Sequence, residues 1–178
     1  MNVPASLVKE LRKRTGAGVM ECRSALEEAE GNLERAQELL RKRGRAKALK
    51  KTGRTAAEGL VVSYIHGGGR IGVLLELNCE TDFVARTERF VALAKDLAMQ
   101  VAATNPAYLR REDVPEKILT EVEDLEKFLQ EACLLEQPFI KDPERTVGDL
   151  VNEAIAVLGE NVVVRRFCRY QLGETAYE

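Results

Sequence analysis

The stretch EGLVVSYIH, Glu58 to His66, is followed by Gly67-Gly68-Gly69 and then by IGVLLELNC, Ile71 to Cys79. Both runs are rich in β-branched and apolar residues, and the glycines between them are turn formers, so the segment predicts a β-hairpin. Glycines can also cradle a phosphate, but that needs a strand-to-helix junction with a lysine and a hydroxyl, as in G-x-x-x-x-G-K-[ST]. Here strand-like runs flank the glycines on both sides, and a turn is the reading. A hairpin is antiparallel, so the sheet it belongs to cannot be wholly parallel.

C-terminal to the hairpin the period changes to that of a helix. Between Glu88 and Ala103, the residues Phe90, Leu93, Ala94, Leu97 and Val101 form one apolar stripe. Pro106 and Pro115 bound an irregular stretch. Thr120 and Glu123 have the spacing of a capping box and would open a helix bearing Leu125, Phe128, Leu129 and Ala132. Pro138 to Pro143 reads as loop. Thr146 with Asp149 is a second capping box, opening a helix with Leu150, Val151, Ala154, Ile155 and Leu158 that Gly159 ends. Val162 to Tyr170 alternates as a strand does. A small antiparallel sheet with helices on one face is the α+β solution to this order.

N-terminal to the hairpin the pattern is helical three times. Pro4 to Arg14 carries Leu7, Val8 and Leu11 on one face, and Thr15-Gly16-Ala17-Gly18 breaks it. Val19 to Ala29 follows, closed by Gly31, and Asn32 can cap the third helix, which bears Leu33, Ala36, Leu39 and Leu40 and is expected to stop at Gly44. The expected organisation is a three-helix domain at 1–45, a basic linker at 46–56, and an α+β core at 57–178 with a short helical insertion at about 112–136.

Composition narrows the function classes. Of 178 residues, 45% are hydrophobic and 31% charged, a globular balance. No apolar run approaches the ~20 residues of a membrane helix, and basic residues from Lys9 to Arg14 interrupt any signal sequence, which predicts a cytoplasmic protein. Cys22, Cys79, Cys133 and Cys168 are widely spaced with no C-x-x-C, and His66 is the sole histidine. That argues against a zinc site and against a Ser-His-Asp arrangement, and no metal or cofactor is expected. Residues 1–54 carry a net charge of +7 and the rest −9, which suggests two modules. Arg41 to Arg54 holds eight basic residues and no acidic one. Nucleic acid could bind such a run through phosphates, but no aromatic residue interleaves with it, and a solvated helix end is the plainer reading.

The segment Asn78-Cys79-Glu80-Thr81-Asp82-Phe83-Val84-Ala85-Arg86 joins the second strand to the next helix. By itself it has two readings: Phe83 as a core anchor with Asp82 as a helix cap, or a loop that carries function. No base, nucleophile and oxyanion donor can be assembled around it, so the chain is not read as an enzyme.

Glu76-Leu77-Asn78-Cys79-Glu80-Thr81-Asp82-Phe83-Val84-Ala85 resembles a signature of the elongation factor Ts family. Leu7 to Arg12, Thr15 to Met20 and Cys22 to Leu26 resemble that family's other signature, and Ala57 to Val61, Leu134 to Phe139 and Gly159 to Asn161 match in order. The resemblance implies a ubiquitin-associated-like (UBA-like) three-helix domain and a core with a three-stranded antiparallel sheet. It implies guanine-nucleotide exchange on elongation factor Tu, whose Mg2+ site is disturbed by a tip formed by Thr81, Asp82, Phe83 and Val84. It also implies that Arg12, Val19, Met20 and Arg23 contact the same nucleotide domain, although Val19 stands where methionine is common and Met20 could equally be core. Many family members carry two core subdomains and a longer helical insertion; this chain has one core, and its insertion is short. One sheet face is therefore left to cover, which predicts a homodimer with Val162 to Tyr170 as the interface strand and an intersubunit disulfide at Cys168 as an option.

Overall fold

The computed structural model describes residues 3–174; residues 1–2 and 175–178, the outer ends of the first and last expected segments, lie outside the described residues. The chain forms two compact units. One is the chain up to Arg54 together with Asn152–Asn161, and the other is Thr55–Val151 with the chain from Val162 onward. No helix among the described residues is long and apolar enough to cross a membrane.

The first unit begins with α1 (Ala5–Thr15), α2 (Val19–Glu28) and α3 (Leu33–Leu49). Gly16 ends α1 in the left-handed conformation, and the Asn32 side chain caps α3 by accepting from the Arg35 amide at 2.9 Å. Leu11, Cys22, Ala25, Leu26 and Ala36 are wholly buried, with Leu7, Val8, Leu33, Leu39 and Leu40 packed around them. So many small residues at the centre let the helices approach closely. The expected stop at Gly44 is not observed: α3 runs on to Leu49. A lone glycine in a helix costs only about 1 kcal/mol relative to alanine, and good helix formers flank it. Gly44 is buried, and a Cβ placed there would stand 3.6 Å from that of Ala156. Within the same unit, Asn161 Nδ2 donates to the Arg54 carbonyl at 2.8 Å and Lys51 Nζ donates to the Gly159 carbonyl.

The second unit contains β1 (Glu58–His66), β2 (Ile71–Cys79), α4 (Asp82–Ala85), α5 (Glu88–Thr104), α6 (Glu116–Glu121), α7 (Leu125–Ala132), β3 (Pro138–Phe139) and β4 (Asp142–Thr146). It ends with β5 (Val163–Gln171), while α8 (Val147–Leu158) begins in this unit and ends in the other. The sheet order is β1-β2-β5, all antiparallel, as the α+β reading predicts. Gly67, Gly68 and Gly69 all have positive φ, the conformation a tight hairpin turn demands. The inward residues of β2, Val73, Leu75, Leu77 and Cys79, are buried, and α5 packs over β1 and β2 with Phe90, Leu97, Ala98 and Val101 buried.

Two local expectations are corrected. Thr120 does not cap a helix: it lies inside α6, its hydroxyl donates to the Lys117 carbonyl at 2.8 Å, and Asp124 caps α7 instead. Pro138 to Pro143 is not simply loop but contains β3 and the start of β4. Wholly buried Gln100 fixes this hairpin, donating to the Gln137 side chain and the Pro138 carbonyl at 3.1 Å each and accepting from the Ile140 amide at 2.9 Å. The Thr146–Asp149 capping box forms as expected: the Thr146 amide donates to Asp149 Oδ2 and the Asp149 amide to Thr146 Oγ1.

Candidate functional site

Residues Thr81 to Val84 form an exposed tip where β2 hands over to the single turn of α4. Thr81 is the N-cap: its extended backbone stops the strand, and its Oγ1 accepts from the Val84 amide at 3.4 Å. The buried thiol of Cys79 donates to the Thr81 carbonyl at 3.1 Å. On the far side, Thr87 Oγ1 donates to the Val84 carbonyl at 2.8 Å and accepts from the Phe90 amide at 3.3 Å, capping α5. Arg86 Nη2 donates to Asp82 Oδ2 at 2.8 Å. Ala85 is buried and anchors the turn, whereas Phe83 is 81% exposed.

Of the two readings of Phe83, the core anchor is excluded by that exposure. Holding a phenyl ring in water is unfavourable, and backbone ties on both sides keep it presented. Such a tip offers an apolar wedge beside a carboxylate. The sequence reading singled out Thr81, Asp82, Phe83 and Val84 but missed Cys79, Arg86 and Thr87. The N-cap pattern of Thr87 before a helix and the i,i+4 spacing of Asp82 and Arg86 are the signals that point to two of them.

On the first unit, Arg12, Val19 and Arg23 come together with Val3, Ala5, Val8 and Lys9 around an open groove of about 330 Å³. Met20 does not line this groove, but it is 72% exposed, so it is not core. Ala5, Val8, Lys9 and Arg12 share one face of α1 by their three- and four-residue spacing, a signal the sequence reading left unused. The groove joins an apolar floor to three cations, one of which, Arg23, also pairs with Glu27 at 3.1 Å.

The basic run of α3 is largely engaged within the molecule. Lys42 pairs with Glu38, Arg43 with Glu28 and Lys47 with Glu21, which leaves fewer cations for phosphates. The Lys47 hydrogen bond holds the Glu21 carboxyl below its usual pKa. Burial pushes the Cys22 and Cys133 thiols up, so neither has the thiolate character of a reactive cysteine. Cys168 is exposed and pairs across the sheet with Leu74. Among the described residues no three His, Cys, Asp or Glu converge as a metal site.

Against known proteins, the sequence profile of the family described as Elongation factor TS matches residues 6–126 and 122–174. A protein named Elongation factor Ts from Moorella thermoacetica is 56% identical over 97% of this chain and 96% of its own length. Proteins of the same name from Carboxydothermus hydrogenoformans and Caldanaerobacter subterraneus are each 53% identical over 97% of this chain, and over 90% and 98% of their own lengths. These matches extend over 195 residues against the 178 of this chain, so the relatives carry extra residues inside the matched span. The two pieces of the profile match overlap at 122–126, from the α6–α7 junction into the start of α7.

Proposed function

Because the chain belongs to the elongation factor Ts family, we propose that it presses the Thr81–Val84 tip against the nucleotide domain of elongation factor Tu and disturbs the Mg2+ site that helps hold GDP there. Family membership itself supports the coarser role, guanine-nucleotide exchange on elongation factor Tu during translation elongation. Exchange makes and breaks no covalent bond, so this chain acts by binding alone. It must bind the nucleotide-free partner more tightly than the GDP-bound one, and by linkage GDP weakens its binding by the same factor that it weakens GDP. Each tenfold gain in release rate corresponds to about 1.4 kcal/mol off the barrier.

The observation that carries this reading is Phe83, an exposed ring on a backbone tied by Cys79, Thr81 and Thr87. A pre-organised aromatic is the kind of group that dominates an interface. Asp82 places a carboxylate next to it, where it can compete for groups that order the partner's magnesium. The Lys9, Arg12 and Arg23 groove with Val19, and Met20 beside it, supplies docking affinity. The test is the rate of GDP release from elongation factor Tu with and without this chain. Acceleration is expected, and an unchanged rate overturns the reading.

We also propose a homodimer. The outer sheet face carries Val61, Ile65, Leu74 and Tyr170, all exposed, beside the Glu76–Arg166 ion pair at 2.7 Å. A second copy presenting the same face would cover this apolar surface and bring opposite charges together across a two-fold axis.

A further inference from the structure

Arg86 lies outside the four tip residues yet is bonded directly to one of them. Its Nη2 reaches Asp82 Oδ2 at 2.8 Å across the one turn of α4, and the two side chains are 77% and 45% exposed. An exposed i,i+4 pair of this kind adds little to a fold, because water screens it. The backbone of the turn is held independently, by the Cys79, Thr81 and Thr87 side chains. What the ion pair does determine is the orientation of the Asp82 carboxylate next to Phe83.

We propose that Arg86 is a positioning residue for nucleotide exchange, holding the Asp82 carboxylate in one orientation on the tip so that docking need not order it. The inference rests on the tip being the exchange element. A group already ordered in the free protein loses less freedom on binding. As the tip docks and water leaves, the effective dielectric falls and the attraction between the two charges grows. The pair that is weak in the free protein is thus strengthened where it is used. It also spares Asp82 from entering an interface as an uncompensated charge.

The test measures GDP release from elongation factor Tu with the full chain and with Arg86→Ala, Arg86→Lys, Asp82→Asn and the double variant Asp82→Asn/Arg86→Ala. Arg86→Ala is expected to slow release by about three- to tenfold, and adding it to Asp82→Asn to cause no further loss, the signature of residues acting as one unit. Arg86→Lys keeps the cation and is expected to retain most of the rate, with melting temperatures unchanged throughout. A rate for Arg86→Ala equal to that of the unsubstituted chain overturns the inference. So does an equal loss in the Asp82→Asn background, which would mean that Arg86 meets the partner itself. If the unsubstituted chain fails to accelerate release, the exchange reading falls first, and that result is distinct because no substitution then has a rate to change.

Discussion

Phe83 and Phe90 stand on opposite sides of Thr87, and the first ring is 81% exposed while the second is completely buried. Thr87 sets the boundary, since its one hydroxyl closes the tip by donating to Val84 and opens α5 by accepting from Phe90. On the exchange role proposed for the tip, the two aromatics divide binding from folding. Phe83→Ala is expected to slow GDP release at least tenfold, about 1.4 kcal/mol, with no change in melting temperature. Phe90→Ala is expected to destabilise the chain by about 3–5 kcal/mol. Equal losses of thermal stability in both variants would reject the division.

The groove on the first unit makes a different prediction, because its cations act at long range. Arg12→Glu with Arg23→Glu should slow association with elongation factor Tu and flatten the salt dependence of the rate, as expected when steering charges are removed. Release of GDP at saturating factor should change far less. Association rates measured by stopped flow at two ionic strengths decide this, and an unaltered salt dependence would remove the docking role from these arginines.

Periodicity made the sheet and the long helices legible. EGLVVSYIH and IGVLLELNC have no helical alternative once three glycines separate them, and Phe90 to Val101 can only be a buried helical face. The reading failed where tertiary contacts decide local structure. Gly44 looked like a stop because nothing nearby in sequence shows that Ala156 packs against it. The β3–β4 hairpin depends on Gln100, about forty residues away, which supplies both donors and acceptors to Gln137, Pro138 and Ile140. The tip residues were found through family resemblance. Their exposure is undecided from sequence, where Phe83 fits both a core anchor and a loop that carries function.

Acid sensitivity of the first unit follows from Glu21. The Lys47 hydrogen bond holds its folded pKa below the ordinary value, with smaller help from the Gly18 amide and Arg43. A depressed carboxyl pKa contributes stability that is complete above the unfolded value and is lost as pH falls through the folded one. Both side chains are partly exposed, so the contribution is that of a screened pair, about 0.2–1 kcal/mol. Glu21→Gln is thus expected to lower the urea midpoint slightly but measurably at pH 6–8. The gap from the unsubstituted chain should close as pH drops below the ordinary carboxyl pKa of about 4.3. A gap that stays constant down to pH 3 would show that Glu21 acts by packing instead of charge.

The open sheet face yields the prediction on assembly. Register places Ser63, Leu74 and Cys168 in one row across the sheet's outer side, with Val61 in the row on one side of it and Ile65, Gly72 and Tyr170 in the row on the other. Burying such residues against a second copy contributes about 25 cal/mol per Å² of apolar area removed from water, whereas exposed Leu74 in a monomer gains nothing. Leu74 sits on the central strand, near the middle of any two-fold contact over this face, so Leu74→Glu would bring two like charges close together. Light scattering at micromolar concentration is expected to give a dimer for the unsubstituted chain and a monomer with unchanged circular dichroism for Leu74→Glu. Cys168 lies beside Leu74, but a disulfide requires Cα atoms within about 7 Å of each other, a demand the apolar contact does not share. The dimer should therefore persist in reductant and in Cys168→Ser. A mass that halves on reduction would move the association onto the thiol, and a monomer with and without reductant would refute the dimer.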